Sequence, residues 1–446
     1  MPMSQAPKET ASGGARVCMV VHAHYPEDPR VSREALAARD AGHAVSVLCL
    51  RAPGEPAREV VDGVEVERLA LPIADRSRSA LAAFLIEYVG FALKASLRLA
   101  RRLLTRPRLD VVYVNTPPDF LAVVGLVPRL LRRKVVIDIH DSSPLLFGER
   151  FGGRGARLAQ WVLGRIERGA CALAHEVVTV HEGYVELLAR NAVPRRKITT
   201  VMNSPDARRV ERVRVAADRE RAGGEPTTDR AEDFVVAYHG TIDLWYGVPL
   251  IVEALAEASS ELGEWRALVL GDGDALPGTR ERARELGLSD RIEFSGGFLP
   301  AEEALRRVAL ADCGVIPNLP SPLNRFTLST KLLEYVALGV PAVVARLESL
   351  AAHFEEDEVT FFRAGDPGAL AEALVWVARH PTEAAEKSER ALRRYRDYDW
   401  ATSRDRLLGV LDGRSPGAPA ARTVSADDPV VAGHAAATAP ATPVGS

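Results

Sequence analysis

The sequence predicts an α/β protein built from two facing Rossmann-like domains, and three observations carry that prediction. Short Val/Ile-rich runs recur with helical pattern between them, as expected for parallel strands covered on both faces. The alternation lapses once, over residues 205–232, and then resumes. A chain of 446 residues with 47% hydrophobic content has material for two cores.

Residues 1–15, "MPMSQAPKETASGGA", are polar and lack the apolar core of a signal peptide, so they are expected to be disordered. The first domain, 16–204, opens with the buried strand "ARVCMVVHAHY". A helix, "VSREALAARDAG", stops at Gly42, and "HAVSVLCL" is the second strand. "LDVVYVN", "KVVIDIH" and "HEVVTVH" continue the sheet. Residues 205–232, rich in Arg, Glu and Gly, read as an exposed connection with some helix. The second domain, 233–392, has "FVVAYHG", "RALVLGDG", "RIEFSGG", "CGVIPN" and "PAVVA" as its strands. Residues 413–446 are mostly Ala, Pro, Gly, Thr and Ser and read as a disordered tail.

Composition excludes several function classes. With 57 Lys+Arg against 60 Asp+Glu the net charge is -3, so nothing global argues for nucleic-acid binding. The four cysteines, Cys18, Cys49, Cys171 and Cys313, show no metal-type spacing and fit reduced thiols of a cytoplasmic protein. No apolar run is long and uncharged enough to span a bilayer.

Ligands of open parallel sheets bind at the carboxyl ends of the strands. In the second block those positions are Gly240-Thr241, Gly271-Asp272-Gly273, Gly296 to Phe298, Pro317-Asn318 and the helix in "TKLLEYVALGVP". Glycine turns admit a polyphosphate to backbone N–H groups, although the same glycines also serve ordinary turns. "GDGDAL" is no dinucleotide fingerprint, since Leu276 stands at the third glycine, and its Asp272 to Asp274 run reads as a turn rather than a metal site. Two residues of "TKLLEYVALGVP" fit poorly: Lys331 sits at the helix end whose dipole repels cations, and Glu334 lies on a segment otherwise built for burial. In the first block, His140 and Asp141 follow a strand at the rim facing the second domain.

Taken in order, "DPRVSREALAARDAGHAVSVL", "NTPPDFLAVVGLVPRLLRRKVVIDIHDSSPLLF", "VVAYHGTIDLWYGVPLIVEAL", "RALVLGDGDAL", "RIEFSGGFLPAEEALRRVALADCGVIP" and "TLSTKLLEYVALGVPAVVA" resemble the family 4 glycosyltransferases of the GT-B fold. The resemblance runs from about Arg16 to Leu411. It implies a nucleotide-diphosphate-sugar donor held mainly by the second domain, transfer with retention of anomeric configuration, and no metal ion or other cofactor. It also implies a C-terminal helix, 393–412, that crosses back to the first domain.

Of the catalytic candidates His140, Lys331 and Glu334, the resemblance gives His140 and Glu334, and Lys331 enters through a departure from the family pattern. Glu334 matches the glutamate that accepts hydrogen bonds from the ribose hydroxyls, and His140 the histidine near the donor sugar. Gly240 and Thr241 match the first phosphate-contacting turn, and Phe298 and Leu299 the place of the nucleotide base. Tyr246, Gly271, Asp272, Leu332 and Leu333 complete the donor side. Asp28, Arg30, Asp119 and Asp141 fall on the acceptor side, where the Asp28-Pro29-Arg30 motif serves either acceptor contact or the shape of its loop.

Two departures matter. The family's first glutamate position holds Phe326, and its two diphosphate cations are replaced by Gly240-Thr241 and Tyr246-Gly247. A leaving diphosphate needs positive charge or oriented dipoles, so Lys331 and Arg325 become the candidate substitutes. No enzymic nucleophile is required if the diphosphate itself helps deprotonate the acceptor.

The acceptor expected is a saccharide, a lipid-linked saccharide or a small molecule. Residues 79–106 place Glu87, Lys94, Arg98, Arg101 and Arg102 on one stripe of an otherwise apolar helix. That pattern suits contact with an anionic membrane at the inner face of the cell membrane. It suits equally a core helix whose polar stripe faces solvent. Two rival functions share the architecture, a nucleotide-sugar epimerase and a non-catalytic nucleotide-sugar-binding protein.

Overall fold

The computed structural model describes residues 14–71, 85–105, 109–151, 154–222 and 233–414. The expected disorder of 1–13 and 415–446, and the parts of the 79–106 and 205–232 segments at 79–84, 106 and 223–232, lie outside the described residues.

The first domain is an eight-stranded sheet of β1 (Arg16–Val20), β2 (Ala44–Leu50), β3 (Arg58–Val61), β4 (Val64–Leu69), β5 (Val111–Thr116), β6 (Lys134–Ile139), β7 (Glu176–Thr179) and β8 (Ile198–Thr200). Its order is β3-β4-β2-β1-β5-β6-β7-β8, parallel throughout except for the antiparallel edge strand β3. The second sheet holds β9 (Phe234–His239), β10 (Trp265–Leu270), β11 (Ile292–Phe294), β12 (Cys313–Ile316), β13 (Ala342–Ala345) and β14 (Thr360–Phe362). Its order is β11-β10-β9-β12-β13-β14, all parallel. The Val/Ile runs become central strands because both of their faces are covered: Val112, Tyr113, Val136 and Ile137 have no exposed surface.

Seven helices matter to the argument: α1 (Pro29–Asp40), α2 (Gly90–Thr105), α3 (Leu126–Leu130), α4 (Arg154–Leu173), α5 (Ala207–Ala222), α6 (Thr330–Leu338) and α7 (Trp400–Asp412). The expected exposed connection over 205–232 is corrected by α5, whose Val210, Val213 and Ala217 join the second domain's core. An apolar stripe on an Arg-rich helix is enough to dock it. The crossing-back helix is α7, and it starts later than expected: Arg393 to Tyr395 still belong to the Pro381–Tyr395 helix on the second domain. Asp399 caps α7 by accepting from the Thr402 N–H, and Leu407, Val410 and Leu411 then bury into the first domain beside α1. The chain therefore crosses between domains twice. The two crossings are bonded to each other, with Met202 N–H donating to Ser403 Oγ at 3.1 Å and the Ser204 hydroxyl donating to the Tyr398 carbonyl.

Candidate active site

The two sheets present their carboxyl ends to a shared cleft of about 350 Å³. One wall carries His140 and Asp141, which follow β6, and His181, which follows β7; the other carries Tyr246, Asn318 and residues 329–331 at the start of α6. Two backbone N–H groups of the loop before α6 bind across the domains. Leu328 N–H donates to His181 Nε2 at 3.1 Å, and Leu323 N–H to Glu149 Oε1 at 3.1 Å. Burial and the neighbouring His353 pull His181 down to about 3, so it stays a neutral acceptor.

Lys331 brings an ammonium to the second-domain wall of the cleft. Its ammonium lies 4.2 Å from the Tyr246 ring centroid and 5.6 Å from that of Tyr238. Burial lowers it to about 8, against the pull of Glu334 and Asp243. Gly240, at φ +105°, lies directly beneath: a Cβ there would come within 2.5 Å of Lys331 Cε. Gly271 backs the same turn, where a Cβ would meet the Gly240 carbonyl oxygen at 1.8 Å. These two glycines are therefore set by close packing, and the turn after β9 and the lysine form one unit.

One turn on, Glu334 Oε2 lies 2.7 Å from Nε2 of His239, the last residue of β9, whose Nδ1 lies 3.3 Å from the Tyr335 hydroxyl. His239 was not anticipated by the sequence reading, which singled out its neighbour Gly240. Asp243, nearly fully buried, was also missed; its carboxylate accepts from the Asp274 N–H. Leu332 and Leu333 are core residues of the second domain, although Leu333 also reaches the cleft.

His140 belongs to a buried charge cluster. Its Nε2 lies 3.1 Å from Asp138 Oδ2, and Asp138 also takes a bidentate pair from Arg30 at 3.0 and 2.9 Å and the Tyr113 hydroxyl at 3.0 Å. Burial disfavours the charged imidazolium, but the Asp138 carboxylate outweighs it and raises His140. Burial pushes the Asp138 carboxyl up, yet Arg30 and His140 overcome it and hold Asp138 below the usual range. Glu34, 3.2 Å from Arg30, is pushed to about 7 by burial, partly offset by that guanidinium.

Several expected residues are held by structural partners or lie outside the cleft lining. Arg30, placed on the acceptor side, is committed to Asp138 and to the Val201 carbonyl. Asp28 caps α1, accepting from the Arg30 and Val31 N–H groups, a contact worth about 1 kcal/mol. Asp28, Pro29 and Arg30 also line the cleft, so the motif shapes its loop and at the same time reaches the wall of the site. Arg325 is not among the cleft-lining residues: it is half exposed and pairs with Glu348 at 2.8 Å. Asp272 is exposed and accepts from its own neighbour's N–H at Gly273. Phe298 is exposed, whereas Leu299 packs on the second core. The Thr241 carbonyl accepts from the Tyr238 hydroxyl at 2.5 Å.

Asp119 is buried at the start of a 3₁₀ segment, Asp119–Gly125, and Asp141 lies where Tyr184 can donate to it at 3.4 Å. Burial, with the Glu167 carboxylate nearby, pushes Asp119 from 3.8 to about 7. Between those values the native state holds a proton that the unfolded chain has lost, so this group makes stability fall as pH rises. Asp119→Asn removes that component. Urea unfolding at pH 4 and pH 7.5 should show the decline shrinking by about 2–4 kcal/mol; an unchanged decline would contradict the assignment.

Comparison with known proteins places this architecture. Residues 28–204 match the model of the glycosyl transferase 4-like domain, and residues 233–380 that of glycosyl transferases group 1. A phosphatidyl-myo-inositol mannosyltransferase of Mycobacterium leprae is 26% identical over 167 residues, which is 37% of this chain and 42% of that protein's length. Among solved structures, Anabaena HepE in complex with UDP superposes with a TM-score of 0.64 at 16% identity, covering 89% of this chain and 100% of that one. A sucrose-phosphate synthase from Thermosynechococcus elongatus gives 0.67 at 16% identity, covering 90% and 98%. Facing sheets, a returning α7 and two consecutive family matches lead to one conclusion: the chain belongs to the group 1, family 4 glycosyltransferases of GT-B fold.

Proposed function

We propose that the protein transfers a glycosyl group from a nucleotide-diphosphate sugar to an acceptor hydroxyl with retention of anomeric configuration. The observation that carries this reading is the pairing of Lys331 and Tyr246 on one wall of the cleft with His140 and Asp141 on the other. Glu334, steadied at one oxygen by His239, offers the other to the ribose hydroxyls. Lys331 and the first-turn N–H groups of α6 take the charge that grows on the leaving diphosphate. The reaction so written uses Lys331 as its cation and needs no metal ion. His140, oriented by Asp138, faces the donor sugar, and the departing diphosphate receives the acceptor's proton on the face it leaves. The acceptor is a saccharide, a lipid-linked saccharide or a small molecule; the mycobacterial relative's name favours a lipid.

Incubation with a panel of labelled nucleotide sugars tests the proposal. Slow release of free sugar and nucleoside diphosphate from one donor is the expected result. Isomerised nucleotide sugar would make the protein an epimerase, and binding without any turnover would make it a non-catalytic module.

A further inference from the structure

The outer layer of the first domain is built unlike the rest of the surface. The helix α2, the Asp119–Gly125 segment continuing into α3, and α4 lie side by side over one face of the eight-stranded sheet. Such a layer should turn polar side chains outward. Here it does the reverse. Of the fifteen large apolar side chains exposed among the described residues, ten belong to these three neighbours. In α2 they are Leu93, Leu97 and Leu104, the last 77% exposed, all within an arc of about 40° at helical spacing. The middle element adds Val123, Leu126, Leu131 and Leu130, which is 81% exposed. Helix α4 adds Leu158, Val162 and Trp161, 64% exposed. From α5 to α7 the described residues expose only Val215, Leu244 and Phe298.

The charge on this layer is equally one-sided. Lys94, Arg101, Arg132, Arg157, Arg165 and Arg168 are exposed on it or at its ends. Across α2, residues 126–134 and α4 there is a single acid, Glu167, and it is buried against Ser142 and Asn191. Exposed Glu87 stands in the turn that leads into α2, and Glu65 and Glu67 of β4 pair with Arg102 and Arg98 of that helix. A chain of net charge -3 has thus gathered apolar and cationic side chains on one face, with few carboxylates beside them.

We propose that this face docks on an anionic phospholipid bilayer, with the leucines and Trp161 in the interfacial zone and the arginines against the headgroups. A second copy of the chain is the poorer occupant, because an isologous pairing would set arginine against arginine. The proposal concerns a surface and stands independently of the cleft's chemistry.

Flotation of the full chain with vesicles tests it. The protein should float with vesicles containing phosphatidylglycerol, fail to float with phosphatidylcholine alone, and lose binding as salt is raised. The variant Leu104→Ser/Leu130→Ser/Trp161→Ser should reduce the vesicle-bound fraction about tenfold or more, with an unchanged thermal midpoint. Arg132→Gln/Arg165→Gln/Arg168→Gln should abolish the preference for phosphatidylglycerol. No flotation of the parent would overturn the proposal, as would equal flotation of the serine variant. A dimer in sedimentation velocity that the serine variant dissolves would overturn it too, assigning the face to a second copy. None of these outcomes depends on turnover, so they leave the transferase reading to its own test.

Discussion

Lys331→Ala should lower turnover with the preferred nucleotide sugar on the order of a hundredfold or more while the fold stays intact, the cost expected for losing one preorganised group at a developing anion. The lysine's surroundings argue for this. A half-buried ammonium against two tyrosine rings, drawn down to about 8 by desolvation, is an expensive arrangement unless an anion meets it. Carbon atoms of the same side chain rest on Gly240, so the ammonium is held over the turn that follows β9. A pH signature separates charge from shape. In the parent, affinity for nucleoside diphosphate should weaken as pH rises above about 8, because the anion prefers the protonated lysine. The alanine variant should bind weakly at every pH without that inflection. Near-parental turnover in Lys331→Ala would sink the assignment.

The second large effect is on stability. Asp138→Ala would strip a fully buried guanidinium of its bidentate partner, leaving Arg30 with Glu34 and the Val201 carbonyl. Breaking a buried pair from one side costs about 3–5 kcal/mol, and with Arg30 and Asp138 both almost wholly inaccessible, solvent screens little of it. Urea unfolding near neutral pH measures the loss. A cost below about 1 kcal/mol would mean that Glu34 ionises and takes over the arginine. The same substitution frees the His140 ring, so turnover should also fall, and Asp138→Asn should keep more of the fold than Asp138→Ala.

How far the sequence could be read depended on whether a residue's role is local. The strands declared themselves as Val/Ile runs, and Lys331 and Glu334 as misfits on an apolar helix, because each signal lies within one turn or one strand. Arg30 and Asp138 are 108 residues apart, and no periodicity links a helix start to a strand end. His239 gave no signal either: a histidine closing a strand looks like any other polar end until Glu334 is brought beside it. Arg325 shows how little sequence proximity to Lys331 says about direction. The loop from Pro317 to Ser329 carries it outward to Glu348, while Lys331, six residues on, points inward. In α5 the arginines concealed a stripe of Val210, Val213 and Ala217.

The two crossings between domains have a mechanical consequence. Chains joined by one strand can swing and twist about it freely, whereas two crossings stapled together at Met202–Ser403 and Ser204–Tyr398 act as a strap. A strap bends about its width and resists torsion. Any relative movement of the two halves should therefore bend about this paired segment rather than twist around a single strand, which would keep the walls bearing His140 and Lys331 in register.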